Sequence, residues 1–237
     1  MNISTALVTG ANKGIGWHIA RQLADAGLTV YVGSRDPGRG AEAAARIGAG
    51  ARPLTLDVTD AGSIAAAAER VEALDVLVNN AGIIAEEAAP PEATVEAFRR
   101  TYETNVFGVL AVTNAFLPAL RRSEHPRIVN ISSGTGSISA SADGPQARHA
   151  AGSGAAYRSS KAALNALTLF YAQALDEAGF RVNALAPGLR RTDLNPRARA
   201  ADGDPAEAAA AAVRLALLGD DGPTGRFHSW DGTEMPW

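Results

Sequence analysis

Short apolar runs alternate with alanine-rich segments along most of the chain. The apolar runs have the length of strands and predict strands at residues 6–9, 29–33, 53–56, 76–79, 127–131 and 181–186, with a last one near 225–229. Strands that are apolar at nearly every position are typical of a parallel sheet covered by helices on both faces. The pattern therefore predicts an α/β fold.

The alanine-rich segments predict helices at residues 14–26, 40–47, 60–74, 94–120, 155–178 and 205–218. Gly27 and Gly48 mark two helix ends, Asp60 is a candidate N-cap, and Pro205 suits a first helical turn. Two segments rich in small or polar residues, 137–153 and 197–204, predict loops, and long loops in compact domains are commonly functional. The chain shows neither a repeat nor a linker, so we expect residues 1–237 to form one domain.

Composition narrows the possible functions. The formal net charge of −3 gives no reason to expect binding to nucleic acid or to an anionic membrane. The chain has no cysteine for disulfides or thiolate metal sites, and its four histidines show no metal-binding spacing. No apolar stretch reaches the roughly 18 residues of a membrane span, and the first strand begins too early for a signal peptide. We expect a cytoplasmic protein without bound metal.

Tyr157 and Lys161 stand four residues apart in the predicted helix 155–178. Positions at this separation share one face of a helix, about one turn apart. An ammonium group beside a phenol favours the phenolate, so we expect Lys161 to lower the pKa of Tyr157 and make it a proton donor and acceptor. Such pairs are also common on helix surfaces, and the interpretation therefore depends on the motifs that accompany this one.

Five further motifs accompany the pair. They are TGANKGIG at 9–16, NNAG at 79–82, ETNVFG around Asn105, IVNISS ending at Ser133, and Pro-Gly at 187–188. In this order and at these separations the motifs resemble the short-chain dehydrogenase/reductase family, from Ala6 to about Trp230. The resemblance implies a Rossmann-type, doubly wound sheet of seven parallel strands in the order 3-2-1-4-5-6-7.

The glycine-rich motif lies between the first predicted strand and the first predicted helix. Its glycines permit a tight turn and let backbone N–H groups approach a pyrophosphate at the positive end of the helix. The spacing is not G-x-G-x-x-G but the variant of the resembling family. The resemblance assigns cofactor contacts to Gly10, Asn12, Lys13, Gly14, Ile15 and Gly16.

The end of the second strand indicates which dinucleotide is preferred. NAD enzymes place an acidic residue there to hold the ribose hydroxyls, but this chain has Ser34, followed by Arg35. Arg35 and Lys13 can each make charge-assisted hydrogen bonds to a 2′-phosphate. Asp36 argues against this interpretation, but we expect its side chain to point outward. The pattern resembles that of NADP-preferring members, and we expect NADP(H) as the cofactor.

The resemblance assigns the rest of the cofactor site to segments that follow later strands. Asp57 and Val58 would contact the adenine, although Asp57 also suits the N-terminus of the next helix. Asn79 would brace neighbouring strands. Further cofactor contacts fall on Asn80, Gly82, Tyr157, Lys161, Pro187, Gly188, Leu189 and Thr192.

The reaction of the resembling family is hydride transfer between nicotinamide C4 and a carbonyl or alcohol carbon. By this resemblance Tyr157 would deliver the proton, and Ser133 would hydrogen-bond the same substrate oxygen and stabilise its charge. Lys161 would act on Tyr157 and bind ribose hydroxyls. Asn105 would kink a helix and hold a water that links Lys161 to solvent. Ser133 is preferred over Ser132, which would serve only in a register shifted by one residue.

One segment departs from the family pattern. Ser133 and Tyr157 are 24 residues apart, which is more than is common and indicates an insertion at about 138–153. Carbonyl reductases of the monomeric kind carry a longer insertion there, and the motif SRDPGRG at 34–40 also resembles theirs. His149, within the insertion, is either a substrate contact or a solvated loop residue.

These features predict an NADPH-dependent oxidoreductase that acts on a small ketone or aldehyde, or on the matching alcohol. The alternative is a non-catalytic, dinucleotide-binding regulator on the same fold. Resembling proteins pair through two long helices, here 94–120 and 155–178, so we expect a homodimer or homotetramer. The insertion could instead cover that face and leave a monomer.

Overall fold

The parallel sheet is the framework on which every predicted site residue is arranged. The computed structural model describes residues 4–143 and 152–237. Its strands are β1 (Thr5–Val8), β2 (Thr29–Ser34), β3 (Ala51–Thr55), β4 (Val76–Asn79), β5 (Arg127–Ile131), β6 (Arg181–Ala186) and β7 (Phe227–Ser229). They form one seven-stranded sheet in the order β3-β2-β1-β4-β5-β6-β7, and each neighbouring pair is parallel. The predicted fold class and strand order are confirmed.

Helices cover both faces of this sheet. They are α1 (Gly14–Asp25), α2 (Pro37–Ile47), α3 (Ala61–Glu69), α4 (Val95–Tyr102), α5 (Gly108–Leu120), α6 (Ile138–Asp143), α7 (Ala155–Leu175), α8 (Pro196–Arg199) and α9 (Pro205–Ala216). Side chains of α1, α2 and α9 form one buried cluster with Ala6 and Val8 of β1. Side chains of α3, α5 and α7 form a second cluster with Leu7 on the opposite face. The alternation of strand side chains between two buried faces explains why the strands read as continuous apolar runs.

The predicted helix 94–120 is divided into two helices by an irregular turn, which corrects the expectation of one continuous helix over these residues. Residues Glu103–Phe107 form a π-helical turn between α4 and α5, with Asn105 inside it. Gly108, directly after the turn, lies so close to the Val58 backbone that a Cβ there would be 2.7 Å from the Val58 carbonyl oxygen. Such π-turns are frequent at functional sites.

Three other boundaries differ from expectation. The helix predicted at 60–74 ends at Glu69. Val71 and Leu74 lie in the connection to β4, and because both are buried at a helical spacing the sequence pattern extended the helix too far. The predicted loop 137–153 contains α6, and residues 144–151, His149 among them, lie outside the described residues. The predicted loop 197–204 overlaps α8, which Asn195 caps by accepting a hydrogen bond from the Ala198 N–H at 2.7 Å.

Two absences apply to residues 4–143 and 152–237. Within these ranges no helix combines the length and apolar character that a membrane crossing requires. The same ranges hold no group of three side chains suited to bind a metal ion.

Candidate active site

The carboxyl ends of the central strands open into a cavity of about 570 Å³. This volume is within the usual range for a small-molecule or cofactor site. Most of the predicted cofactor residues line it, namely Gly10, Asn12, Lys13, Gly14, Ile15, Gly16, Ser34, Arg35, Asp57, Val58, Asn80, Gly82, Tyr157, Lys161, Pro187 and Thr192. Gly188 and Leu189 do not line it: a Cβ on Gly188 would lie 2.9 Å from the Trp230 ring, and Leu189 is exposed.

The glycine-rich turn adopts a conformation that requires glycine. Gly10 has φ 63° and Gly14 has φ 58°, both in the left-handed region. A Cβ on Gly16 would lie 2.4 Å from the Asn80 Nδ2 atom. Asn80 Nδ2 in turn donates to the Thr9 and Gly10 carbonyl oxygens at 2.9 and 3.2 Å. Asn80 therefore holds the turn in place from β4, besides lining the cavity.

Cationic side chains surround the end of β2. Arg35 and Lys13 line the cavity as predicted, and so does Arg39 in the first turn of α2, which the sequence analysis missed. Asp36 also reaches the cavity lining, but its carboxylate caps α2: it accepts a hydrogen bond from the Arg39 N–H at 3.0 Å. The Ser34 hydroxyl donates to the Asp36 carbonyl oxygen at 2.9 Å. The arrangement suits a phosphate better than a pair of ribose hydroxyls.

Lys13 has a partner that the sequence did not indicate. Its Nζ lies 3.1 Å from the Asp193 carboxylate, in the segment that follows β6. The hydrogen bond from Lys13 and its charge lower the pKa of Asp193. The neighbouring Thr192 approaches the turn from the same side, with its Cγ2 atom 3.6 Å from where a Gly14 Cβ would lie. An anion bound at Lys13 must therefore share this ammonium group with Asp193.

Asp57 and Val58 follow β3 at the cavity wall. The Asp57 carboxylate accepts hydrogen bonds from the Thr59 N–H at 2.9 Å and from the Thr59 hydroxyl at 2.8 Å. The Asp57 N–H donates to the Ser63 hydroxyl in the first turn of α3. The sequence suggested two roles for Asp57, as a residue of the cofactor cavity and as a partner of the following helix. Its position is compatible with both roles.

Lys161 is buried at the base of the cavity. Its side chain is 4% exposed, and its Nζ donates to the Ile131 carbonyl oxygen at 2.8 Å. Burial lowers the pKa of Lys161 to about 8, because the charged ammonium loses water that one neutral acceptor replaces only in part. The Nζ lies 5.7 Å from the centroid of the Tyr157 ring.

Tyr157 does not have the lowered pKa that the sequence predicted. Burial raises the pKa of Tyr157 to about 12, and the Ser133 side chain, within hydrogen-bonding range of the phenol, opposes this rise. Lys161 contributes little because its ammonium group is directed towards the Ile131 carbonyl oxygen. The expectation was wrong for this geometry because removal of water outweighs the charge of a lysine that is itself buried.

The two adjacent serines after β5 have different surroundings. Ser132 is buried, and its hydroxyl donates to the Asn165 side-chain oxygen at 2.6 Å. Ser133 lies beside Tyr157, and its hydroxyl is 2.9 Å from that of Thr135, a contact that the sequence did not suggest. Ser132 lines the cavity and Ser133 does not, but Ser133 is the hydroxyl that the fold brings next to the phenol, so its catalytic role stays a prediction.

Asn105 connects the loop after β4 to the helix that carries Tyr157. Its Oδ1 accepts from the Ile83 N–H at 2.9 Å, and its Nδ2 donates to the Ile83 carbonyl and the Ser160 hydroxyl, each at 3.0 Å. Ser160 donates to the Tyr157 carbonyl oxygen at 2.7 Å. The predicted helix distortion at Asn105 is confirmed, whereas its water-holding role stays a prediction.

Asn79 has the bracing role that was predicted for it. Its Nδ2 donates to the Thr113 hydroxyl at 3.1 Å and to the Asn130 side-chain oxygen at 2.9 Å. Asn130 in turn donates to the Thr168 hydroxyl of α7 at 2.9 Å. This buried chain of hydrogen bonds links β4, β5 and α7.

Comparison with known proteins agrees with this arrangement. The sequence family described as short chain dehydrogenase matches residues 4–203. The short-chain dehydrogenase anuI of Penicillium roqueforti is 39% identical over 79% of this chain and 79% of its own length. Salutaridine reductase of Papaver bracteatum is 33% identical over 94% of this chain and 93% of its own length.

Solved structures give the same result. An NADPH-bound carbonyl reductase from chicken fatty liver superimposes with a TM-score of 0.86 at 32% identity, over 100% of both chains. Salutaridine reductase from Papaver somniferum superimposes with a TM-score of 0.80 at 31% identity, over 94% of this chain and 99% of that one. The chain belongs to the short-chain dehydrogenase/reductase family.

Proposed function

We propose that this protein is an NADPH-dependent oxidoreductase that transfers a hydride between nicotinamide C4 and a ketone or aldehyde, or the matching alcohol. One observation carries the proposal: Tyr157 and Lys161 line a cavity that also holds the cations Lys13, Arg35 and Arg39, and Ser133 lies within hydrogen-bonding range of the Tyr157 phenol. A carbonyl reductase that is described as NADPH-bound shares the fold over its full length.

The residues present fit NADP(H). The N-terminus of α1 and the left-handed glycines of its turn suit a pyrophosphate. Lys13, Arg35 and Arg39 suit a 2′-phosphate, because each can form charge-assisted hydrogen bonds to its oxygens. Asp36, the carboxylate that directly follows Arg35, caps α2 and lies 3.6 Å from the Arg39 guanidinium. Asp57, Val58, Asn80, Gly82, Pro187 and Thr192 would hold the remainder of the cofactor.

When bound, the nicotinamide donates or accepts the hydride. Tyr157 holds the proton that the carbonyl oxygen requires on reduction, and its raised pKa keeps the phenol protonated at neutral pH. Ser133 orients the same oxygen and stabilises the negative charge that develops on it. Lys161 binds the cofactor's ribose hydroxyls in this proposal, and it stabilises the phenolate left after proton transfer only when its ammonium group turns from the Ile131 carbonyl oxygen towards the phenol. Asn105 fixes the loop after β4 against the catalytic helix.

The alternative of a non-catalytic regulator is not favoured. A regulator needs the cofactor cavity but has no need of a hydroxyl within hydrogen-bonding range of a phenol, or of a buried lysine whose Nζ lies 5.7 Å from the centre of the phenol ring. Named relatives, such as salutaridine reductase and neomenthol dehydrogenase, carry enzyme names. The cytoplasmic location expected from the sequence stays a prediction.

A homodimer is part of the same proposal. Phe107, at the end of the π-helical turn, and Phe170 of α7 are 51% and 59% exposed, and Leu110 of α5 is also exposed. The Tyr171 hydroxyl donates to the Asn114 side chain at 2.7 Å and ties these two helices together. Exposed aromatic residues on a rigid face are typical of a protein–protein interface.

Tyr157→Phe tests the catalytic proposal. The variant should bind NADPH with unchanged affinity, measured by the fluorescence of the cofactor, and lose about 10²–10⁴-fold in turnover of a ketone. Ser133→Ala should lower turnover more than cofactor affinity, whereas Lys161→Ala should lower both. A Tyr157→Phe protein that keeps most of its rate would show that the proton comes from another group.

Arg35→Ala and Arg39→Ala test the cofactor preference. Each should weaken NADPH binding by about 1–3 kcal/mol and leave NADH binding nearly unchanged, because only the 2′-phosphate uses these charges. Arg121→Ala, an exposed arginine at the end of α5, is the matched control. Equal affinity of the unmodified protein for NADPH and NADH would contradict the proposed preference.

A further inference from the structure

The last four residues of the sequence run back along β7, and we call residues 234–237 the return segment. The Met235 N–H donates to the Phe227 carbonyl oxygen at 2.7 Å, and Glu234 pairs with His228 in an antiparallel bridge. Arg226 adds an ion pair to Glu234 at 3.2 Å. The return segment is therefore held along the β7 edge of the sheet.

Its far end is tied to the residues that follow Ser133. The Ser137 hydroxyl donates to the Pro236 carbonyl oxygen at 2.7 Å. Ser139 donates to the Trp237 carbonyl oxygen through its N–H at 3.1 Å and its hydroxyl at 2.9 Å. The Trp237 ring stacks on Phe227 with 5.5 Å between centroids. These contacts connect β7 to α6, the helix at the start of the insertion.

Between these two attachments, the Met235 side chain approaches Gly134. Its Cε atom is 3.5 Å from the position that a Cβ on Gly134 would take, and Gly134 directly follows Ser133. Met235 packs against the small buried cluster of Ala184, Ala186 and Phe227 and is itself partly exposed. An apolar side chain thus sits one residue from the hydroxyl that accompanies Tyr157.

Other exposed apolar side chains occur on the neighbouring segments. Leu189 and Leu194 follow β6, Trp230 follows β7, and Ile138 begins α6. Leu194 also lines the cofactor cavity. Arg190 is buried beneath Trp230, with its guanidinium 4.0 Å from the ring centroid and paired with Glu207, whereas Arg191 and Asp193 of the same segment are exposed. Met235 does not line the cavity that holds Tyr157, so its approach to Gly134 is the contact that places it beside the reacting groups.

We infer that Met235 is a specificity-determining residue that forms an apolar wall of the substrate site. The favoured substrate is a ketone or aldehyde whose carbonyl carries a bulky, uncharged hydrocarbon group. The inference rests on the proposed function. Methionine suits this position because its unbranched thioether adapts to irregular apolar shapes. A charged group in the same place would lose water without gaining a partner.

Three ketones that share one ring test the inference with the full chain and NADPH. They are cyclohexanone, 4-tert-butylcyclohexanone and 4-oxocyclohexanecarboxylate. The unmodified protein should prefer the tert-butyl ketone and reject the carboxylate. Met235→Ala should raise KM for the tert-butyl ketone roughly tenfold, with little change in kcat or in the KM of cyclohexanone, because only apolar contact is lost. Met235→Leu should restore most of the loss. Equal changes for all three ketones would indicate a merely structural role and overturn the inference.

A second measurement separates this inference from the proposed reaction. The chain has two methionines, so methyl-labelled protein gives two ε-methyl NMR signals, and Met235→Leu identifies that of Met235. Addition of 4-tert-butylcyclohexanone with NADP⁺ should shift the Met235 signal to saturation. A shift without turnover by the unmodified protein would refute the proposed reaction but support the apolar wall. Turnover without a shift would overturn the wall alone, and the absence of both would overturn both.

Discussion

Lys161 should titrate near neutral pH in the folded protein, and this property can be measured directly. Its ammonium group is buried with the Ile131 carbonyl oxygen as hydrogen-bond acceptor, and its pKa falls from 10.5 to about 8. The chain has two lysines, Lys13 and Lys161. Protein labelled with ¹³C in lysine therefore gives two Cε signals, and Lys13→Arg identifies the second one. The Lys161 signal should change with a midpoint near pH 8.

The same shift predicts how stability depends on pH. In the unfolded chain Lys161 keeps the ordinary pKa of 10.5, so between about pH 8 and 10.5 the unfolded state binds more protons than the folded state. The folded state consequently gains stability as the pH rises through this window. The difference between the two pKa values corresponds to about 3 kcal/mol, which is the penalty that the folded protein carries below pH 8.

Lys161→Met removes this penalty together with the hydrogen bond to Ile131. The lost bond costs about 1–2 kcal/mol at every pH, so the variant should be more stable than the unmodified protein by about 1–2 kcal/mol at pH 7. From pH 7 to pH 10 this advantage should fall by about 2–3 kcal/mol and reverse. Urea denaturation at several pH values measures the difference. Lys13→Met, at an exposed ion pair, is the control and should not reproduce this trend.

Two results would refute this reasoning. One is a Lys161 signal that titrates near 10.5, which would mean that the ammonium group is well solvated or paired in solution. The other is a stability difference between Lys161→Met and the unmodified protein that stays constant from pH 7 to pH 10. Either result would remove the physical basis for a catalytic lysine that is destabilised by burial.

Three further substitutions test other parts of the structure. Asp193→Asn should tighten NADPH binding up to about fivefold without affecting NADH binding, because Lys13 becomes free for the 2′-phosphate. The limit follows from the exposed Lys13–Asp193 ion pair, which is worth at most about 1 kcal/mol. Unchanged or weaker NADPH binding would argue against competition between Asp193 and the phosphate for Lys13. Gly136→Ala should destabilise the protein by about 1–3 kcal/mol and lower turnover, because the added Cβ would lie 2.8 Å from the Lys161 backbone carbonyl carbon. Urea denaturation and initial rates measure the two effects. A variant of normal stability would contradict the close approach. Phe170→Glu should shift light scattering to the monomer mass with NADPH affinity retained, and a monomeric unmodified protein would contradict the proposed dimer.

The features that sequence patterns predicted well are those encoded within a few neighbouring residues. The apolar runs gave the strands to within about two residues, because a strand buried on both faces needs apolar side chains at consecutive positions. The glycine-rich turn was recognisable because only glycine tolerates the positive φ of Gly10 and Gly14. Tyr157 and Lys161 were predicted to share a helix face, since helical spacing by itself places them there.

Tertiary structure decided what depends on residues far apart in sequence. Asp193 faces Lys13 across 180 residues, and Pro236 accepts a hydrogen bond from Ser137 across 99 residues; neither contact leaves a local pattern. The direction of the Tyr157 pKa shift was mispredicted for the same reason. Charge on a neighbouring residue can be read from spacing, but the loss of water around a side chain depends on every segment that packs against it. Local order was therefore determined by the sequence alone, whereas burial and its effect on the reacting groups were determined by the assembled fold.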